Sequence, residues 1–437
     1  MWAYRSIFYQ IYPIGFCGAP VHNDGQTVPR IRKLLEWSDY LKKSGINCLL
    51  LNPIFESDSH GYDTNDFTKI DCRLGTNADF CDVCKDLHEH QIKVVLDGVF
   101  NHVGRNFWAF KDVLENREHS AYKDWFYIHF DGNSCYNDGF WYEGWEGHFQ
   151  LVKLNLKNPA VVEYLLGCIK SWIEEYDIDG LRLDVAYSLD PEFMKRLRQF
   201  TQQIKPDFAL IGEVLFGDYN RIVNDEMLHS CTNYECYKGL HSSLNEMNLF
   251  EIAHSLNRQY GSEPWCLYRG KHLMSFVDNH DVTRVASILK NKNHIPLIYG
   301  LLFGMPGIPC IYYGSEWGTE GVKIPDHDYD LRPYFDHPMP NALTEFIAKL
   351  IHARQNSPAL CDGSYQNIVI QNHQLIFERA TDTERIFVAV NASDQEFTAC
   401  HGNLNGTFTD LISKNTFLLD QKLTLPPYSV QYLKADV

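Results

Sequence analysis

The chain has 437 residues, of which 45% are hydrophobic and 22% charged, and its formal net charge is −17. This is the composition of a soluble globular protein long enough for two or three domains, or for one large barrel with additions. The acidic balance argues against a nucleic-acid surface, an anionic membrane surface or a polyanionic substrate, and it suits a neutral substrate.

Met1 to Ser6 runs straight into the strand-like Ile7–Tyr12 without a basic segment followed by an apolar one. No signal peptide is visible and no apolar run is long enough to span a membrane, so the expected location is cytoplasmic. The 13 cysteines are odd in number and scattered through apolar segments such as those around Cys48, Cys168 and Cys310, as expected of reduced core thiols.

Helical and strand-like runs then alternate. A helical stretch from Ile31 to Lys43 precedes the apolar Ile46–Leu51, and a helix around Ala78–His90 precedes Ile92–Asp97. The second of these helices holds Cys81-Asp82-Val83-Cys84 with His88 one turn on. Without further ligands, that pattern reads as two semi-buried helix thiols rather than a metal or redox site. A helix over Ala160–Tyr176 leads to Ile178–Asp184. Asp190-Pro191 then opens another helix, with Asp190 as cap, before Phe208–Glu213. Leu273–Asp278 and Ile308–Tyr313 are two more strands, and a weaker one lies near Cys231–Tyr234. With the opening strand the count is about eight. Near-continuous apolar strands alternating with helices indicate an α/β (β/α)8 TIM barrel.

Two segments break this rhythm. Residues 103–150 are rich in aromatics and glycine and too long for an ordinary loop, so a small subdomain inserted after the third strand is expected. From residue 357 to 437 alternating runs such as Gln374–Glu378 and Arg385–Val390 replace the helical pattern, giving a C-terminal antiparallel β-sandwich domain. The barrel itself would be 1–102 with 151–356.

Polar residues collect where these strands end. His60 and Tyr62 follow the second strand, Asp97, Asn101 and His102 the third, Arg182 and Asp184 the fourth, Glu213 the fifth, and Asp278, His280 and Asp281 the seventh. In a barrel these ends converge on one mouth, where catalytic groups gather. Arg182 and Asp184 share one strand face, which is either a structural ion pair or a way of keeping a nucleophilic carboxylate ionised. Glu213 has no cation beside it in sequence and is the better candidate for a proton donor. Several carboxylates converging without a metal cage or phosphate loop point to glycoside hydrolysis, in which one carboxylate attacks and another protonates the leaving oxygen. Aromatic residues, 14% of the chain, would serve in part as stacking surfaces for sugars.

Four motifs in order carry a resemblance: Asp97-Gly98-Val99-Phe100-Asn101-His102, Gly180-Leu181-Arg182-Leu183-Asp184, Gly212-Glu213-Val214 and Phe276-Val277-Asp278-Asn279-His280-Asp281. Together they resemble the α-amylase family of glycoside hydrolases over nearly the whole chain. The resemblance implies Asp184 as nucleophile, Glu213 as acid/base and Asp281 as the third carboxylate, which binds and distorts the sugar. It also implies substrate-binding roles for His60, Tyr62, Asp63, Asp97, His102, Arg182, His280 and Arg332. Tyr62 would be a stacking platform, and Arg332 would pair with Asp63. A retaining reaction implies catalytic carboxyls about 5–5.5 Å apart.

Gly144-Trp145-Glu146-Gly147 leading to Leu151-Val152-Lys153-Leu154-Asn155 is similar to the neopullulanase, cyclomaltodextrinase and maltogenic amylase group. Two departures stand out. That group usually carries an N-terminal β-domain, whereas here the barrel strand begins by residue 7. Its tryptophan after the acid/base motif is also absent, the chain reading Val214-Leu215-Phe216. Where many α-amylases place a calcium-ligating histidine, four residues after the nucleophile, this chain has Ser188, so no cofactor is expected and calcium is unsupported. The implied substrates are maltooligosaccharides, cyclodextrins or related α-glucans, cut at α-1,4 bonds. The alternatives are a glucanotransferase, an α-1,6-acting enzyme, or an inactive sugar-binding barrel. The oligomeric state is open.

Overall fold

The computed structural model describes residues 1–325 and 327–436; Val437, the last residue of the expected C-terminal domain, lies outside the described residues. Eight parallel strands form the first sheet: β1 (Phe8–Ile11), β2 (Cys48–Leu51), β3 (Lys93–Gly98), β4 (Gly180–Leu183), β5 (Ala209–Gly212), β6 (Ser230–Cys231), β7 (Met274–Phe276) and β8 (Ile308–Tyr312). Their order is β6-β5-β4-β3-β2-β1-β8-β7, and a parallel bridge between Thr232 and Met274 joins the two ends. The sheet therefore closes into the expected (β/α)8 barrel.

Strand residues are buried on both faces because each face has its own apolar layer. Phe8, Cys48, Leu50, Val95, Ile211, Phe276 and Cys310 fill the barrel interior, with Ala3 of the 3-10 turn Trp2–Arg5 packed in the same cluster. Leu49, Leu51, Val94, Leu96, Leu181 and Leu183 belong instead to the larger core shared with the surrounding helices.

Local sequence explains most of the helices. Thr76 and Asp79 form a reciprocal capping box at the start of Asn77–Glu89. Asp190 caps Pro191–Ile204 by accepting from the backbone N–H groups of Glu192 and Phe193, as its sequence signature implied. The expected helix from Ile31 to Lys43 is instead a 3-10 turn, Arg30–Glu36, followed by a short helix, Ser38–Lys43. The axis changes at Trp37, whose buried indole packs between Phe16 and Trp317, at 4.7 and 5.7 Å between ring centroids. Cys81 and Cys84 lie within Asn77–Glu89, and burial raises both thiols above their ordinary range. His88 turns away from them to bond Asp179 at 2.9 Å.

The segment after β3 carries a small sheet in which His102–Gly104 pairs antiparallel with His148–Lys153, itself paired with Gly144–Trp145. Phe110, Phe126, Phe140 and Tyr142 pack beneath it. At the C-terminus, β9 (Ser364–Ile370), β10 (Gln374–Ala380), β11 (Arg385–Asn391), β12 (Phe397–Asp410), β13 (Thr416–Leu425) and β14 (Ser429–Ala435) are antiparallel. They form one continuous six-stranded sheet rather than two separate ones, in the order β9-β10-β11-β14-β12-β13. An irregularity between Cys400 and Asn405 bends long β12, so the sheet wraps its own core of Ile376, Phe387, Leu404, Phe408 and Leu433. The alternate residues Leu375, Phe377, Ile386 and Val388 face the barrel core.

One buried acid links this scaffold to pH. Glu316, on the 3-10 turn Ser315–Trp317 after β8, accepts hydrogen bonds from Tyr9 (2.6 Å) and Tyr40 (2.9 Å) on one oxygen, and its other oxygen has no partner among the described residues. Burial outweighs those bonds and pushes its carboxyl up to about 7 from 4.5. The folded state then holds a proton that the unfolded chain releases, so stability declines as pH rises from 4.5 to 7, by up to about 3 kcal/mol. Glu316→Gln should flatten that part of the pH–stability curve and leave the protein more stable at pH 7, as measured by denaturant unfolding at pH 5 and 7.

Candidate active site

The barrel register brings the key charges together. Arg182 on β4 is the direct neighbour of Asp97 on β3, and the ladder continues past the strand ends, where Asp184 N–H donates to Gly98 O and Glu213 N–H to Leu183 O. Asp184 and Glu213 therefore sit at equivalent heights on adjacent strands. Arg182 Nη1 lies 2.7 Å from Asp97 Oδ1 and 3.0 Å from Asp184 Oδ1, while Nη2 lies 2.8 Å from Glu213 Oε1. All four side chains are almost fully buried.

This corrects one step of the sequence argument. Glu213 has no cation beside it in sequence, yet across the sheet it shares Arg182 with Asp184. Burial raises both carboxyls above their ordinary range; Arg182 opposes this, and neighbouring carboxylates reinforce it. Glu213 Oε2 also accepts the N–H of Val185 at 3.0 Å. That N–H is aimed by a left-handed backbone at Val185 (φ +40°), a costly conformation for a β-branched residue, immediately after Asp184.

Asp281 completes the group from the β7 end. Its Oδ2 is 2.9 Å from His280 Nε2 and its Oδ1 is 3.0 Å from Arg332 Nη2. Burial alone would raise it, but His280, then Arg332 and Arg182, hold it well below the ordinary carboxylate range. Arg332 does not pair with Asp63 as expected. Its partners are Asp281 and Asp328, each at 3.0 Å, and it lies over the Tyr12 ring at 4.3 Å. Asp63 is satisfied locally, by Ser59 Oγ at 2.7 Å and Gly61 N–H at 3.2 Å.

Tyr62 Oη bonds Asp97 Oδ2 (3.1 Å) and His280 Nε2 (2.6 Å), and its ring lies parallel to that of His280. His102 is buried, which pushes its imidazole down to about 3 and keeps it neutral; its Nε2 has no hydrogen-bond partner among the described residues and lies 4.0 Å from Asp184 Oδ2. Burial likewise lowers His60.

These groups border a cleft of about 930 Å³. His60, Tyr62, His102, Asp184, Glu213, Asp281 and Arg332 line it, while Asp63, Asp97, Arg182 and His280 stand behind them. Asp278, singled out with the others in sequence, turns away to accept from Val285 N–H and Ser315 Oγ, each at 2.7 Å. Two residues that the sequence reading passed over hold the network together. Gln10 Nε2 donates to Asn52 Oδ1 and contacts His280 Nδ1, each at 3.0 Å, and Asn52 donates to Asp97. Their signal was a polar residue within or just after an otherwise apolar barrel strand.

Position 188 is serine, and the side-chain amide nitrogen of Asn101 lies 3.1 Å from His102 Nδ1. Among the described residues the one cluster of possible metal ligands is Glu56, Asp71 and Cys72. Asp71 is held by Arg73 and Ser57, and Glu56 by Asn23 and the Cys72 N–H, so this set is already satisfied by protein donors.

Residues 10–336 match the alpha amylase catalytic domain family. The chain is 29% identical to a cyclomaltodextrinase of Thermoanaerobacter pseudethanolicus, covering 99% of this chain and 78% of that protein. It is 31% identical to an intracellular maltogenic amylase of Bacillus subtilis, covering 74% and 57%. The ligand-free cyclic α-maltosyl-(1→6)-maltose hydrolase of Arthrobacter globiformis superposes over 100% of both chains, with a TM-score of 0.86 and 25% identity. With the barrel, the buried carboxylates at its mouth and a family match over most of its length, the chain belongs to the alpha-amylase family of glycoside hydrolases.

Proposed function

We propose that this enzyme is a retaining hydrolase of α-1,4-glucosidic bonds in maltooligosaccharides, cyclodextrins or related α-glucans. The observation that carries this reading is the single guanidinium of Arg182 joining Asp97, Asp184 and Glu213 beside an oligosaccharide-sized cleft, with Asp281 brought to the same cleft by the turn after β7. The names of the relatives, cyclomaltodextrinase and maltogenic amylase, support the substrate class.

In this reading Asp184 attacks the anomeric carbon while Glu213 gives its proton to the departing oxygen. Water then returns its own proton to Glu213 and displaces Asp184. Arg182 holds Asp184 as a carboxylate before the attack and stabilises the negative charge that returns to it when its bond to the anomeric carbon breaks. Asp281, ionised and fixed by His280 and Arg332, grips the sugar hydroxyls. His102, kept neutral, has a free Nε2 to offer the sugar beside Asp184. Barrel residues 1–102 and 151–356 carry the chemistry and insert 103–150 roofs one side of the cleft. The chemistry needs no metal or organic cofactor, and the partner is the sugar itself rather than nucleic acid or membrane. A cytoplasmic site of action fits the name of the intracellular Bacillus relative; no helix among the described residues is long and apolar enough to cross a membrane.

The test is a product profile on maltotetraose, cyclodextrin, panose and pullulan, run beside Asp184→Asn. Release of short maltooligosaccharides from maltotetraose and cyclodextrin is expected. Products longer than the substrate would make the enzyme a glucanotransferase, release of maltotriose from pullulan or of maltose from panose would make it α-1,6-acting, and no turnover of any of the four would leave an inactive sugar-binding barrel.

A further inference from the structure

Gln10 and Asn52 stand behind the cleft wall, in the same layer as Asp97, Arg182 and His280. Gln10 is on β1, two residues beyond Phe8, so both point into the barrel, and the layer beneath is the apolar one of Phe8, Leu50 and Cys310. Asn52 follows β2, its backbone N–H donating to Ile11 O. Both amides are buried, so their hydrogens must be spent on protein neighbours.

Their orientation follows from one fixed charge. Asp97 is bound by Arg182 through both carboxylate oxygens, at 2.7 and 2.8 Å, so it can only accept. Asn52 must therefore turn its amide nitrogen to Asp97 Oδ2, 3.1 Å away; the reverse orientation would set an oxygen against the carboxylate. The other hydrogen of that nitrogen goes to Tyr62 Oη, also at 3.1 Å, while Tyr62 spends its own hydrogen on Asp97. Asn52 Oδ1 then needs a donor, which Gln10 Nε2 supplies at 3.0 Å. The second hydrogen of Gln10 Nε2 points at His280 Nδ1, again at 3.0 Å, which can answer only as an acceptor. The ring proton is left on Nε2, which faces Asp281 Oδ2 at 2.9 Å and the Tyr62 oxygen at 2.6 Å. Stacking between Tyr12 and Tyr62, at 6.3 and 5.8 Å between ring centroids, keeps the imidazole from turning out of this arrangement.

We propose that Gln10 and Asn52 are positioning residues that carry the polarity of the Asp97–Arg182 ion pair to His280, holding its ring neutral with the proton on Nε2. Three carboxylates invite a second proton onto that ring. Asp281 touches it, Asp97 lies just beyond Asn52 and Tyr62, and Glu213 is close enough to feel its charge. Against them stand the cations Arg182 and Arg332 and the Gln10 hydrogen aimed at Nδ1, which a second proton would meet head on. The consequence for turnover rests on the catalytic reading above. A charged His280 would cancel part of the Asp281 charge that grips the sugar. It would also pull the Glu213 carboxyl down, so that the acid would surrender its proton before the leaving oxygen needs it.

Nuclear magnetic resonance of the substrate-free enzyme carrying ¹⁵N-labelled histidine tests this, because proton–nitrogen correlations across the ring distinguish a protonated nitrogen from a bare one. The His280 signals are those missing from His280→Gln. At mildly acid pH the native enzyme is expected to show a bare Nδ1 and a protonated Nε2. Gln10→Met keeps the length of the side chain without its donor, and Asn52→Leu breaks the relay one step earlier while leaving Gln10 in place. In both variants Nδ1 should gain a proton at that pH, and kcat on maltotetraose should fall about 5-fold or more while KM stays within about 2-fold. A native ring protonated on Nδ1, or variants whose His280 signals match the native ones, would overturn the relay. An unchanged kcat in variants that do gain the proton would overturn its part in the reaction. A native enzyme that shows the expected ring but turns over no α-glucan would instead overturn the catalytic reading and leave the relay standing.

Discussion

Asp184→Asn is expected to lose on the order of 10⁴-fold or more in kcat on every α-glucan, because in the proposed reaction Asp184 is the carboxylate that forms the covalent intermediate. The same substitution should stabilise the fold. In the native protein burial and the nearby Glu213 and Asp97 raise the Asp184 carboxyl, even against Arg182. For an acid whose folded pKa is raised, stability is lost as pH climbs above the unfolded value near 3.8, so at neutral pH the charged native carboxyl works against folding. Asparagine removes that charge and leaves Arg182 paired with Asp97 and Glu213. The expected result is a dead enzyme whose melting temperature rises by about 2–4 °C, read by calorimetry beside a maltotetraose assay. A variant that lost activity and also melted lower would mean that Asp184 mainly holds the structure together, the ion-pair reading that its sequence context also allowed.

How much of this site was legible in the sequence depends on which direction an interaction runs. Along the chain the reading was good. The apolar strands, the Asp190 cap and the charges at the strand ends are local patterns, and each appears where it was expected. Across the sheet it was weaker. Arg182 was matched with Asp184 two residues away, while its bonds to Asp97 and Glu213 come from strand register, which alternation within one strand does not encode. The family resemblance implies a pairing of Arg332 with Asp63, but the choice among Asp63, Asp281 and Asp328 is settled by how residues 328–332 drape over Tyr12. Asp278 shows the opposite error: it stands among cleft residues in sequence, yet its side chain serves a backbone turn behind the wall. The C-terminal sheet gives the same lesson. Its alternation was plain, but a bend inside one long strand, rather than a break between two sheets, decides how it folds over.

Arg182→Leu should be the most damaging single change to the fold, and it should cost most of the activity as well. Leucine fills much of the same space, but it leaves Asp97, Asp184 and Glu213 buried within one another's reach with no cation between them. Breaking a buried ion cluster by deleting one partner costs about 3–5 kcal/mol, far more than the loss of an exposed pair. The remaining carboxylates would respond by taking up protons, so the variant should lose least stability at acid pH and most at neutral pH, the reverse of ordinary acid denaturation. Asp184 would then be protonated where the native enzyme needs its charge, and turnover should fall by at least about 10³-fold. Arg182→Lys separates charge from geometry. A single ammonium restores the cation but cannot reach Asp97, Asp184 and Glu213 together with the fork of a guanidinium. It should recover most of the lost stability and little of the lost activity, as measured by denaturant unfolding and maltotetraose turnover on the same preparations. If lysine restored both, the charge of Arg182 would suffice, and its three-way contact would have no part in placing Asp184 against Glu213.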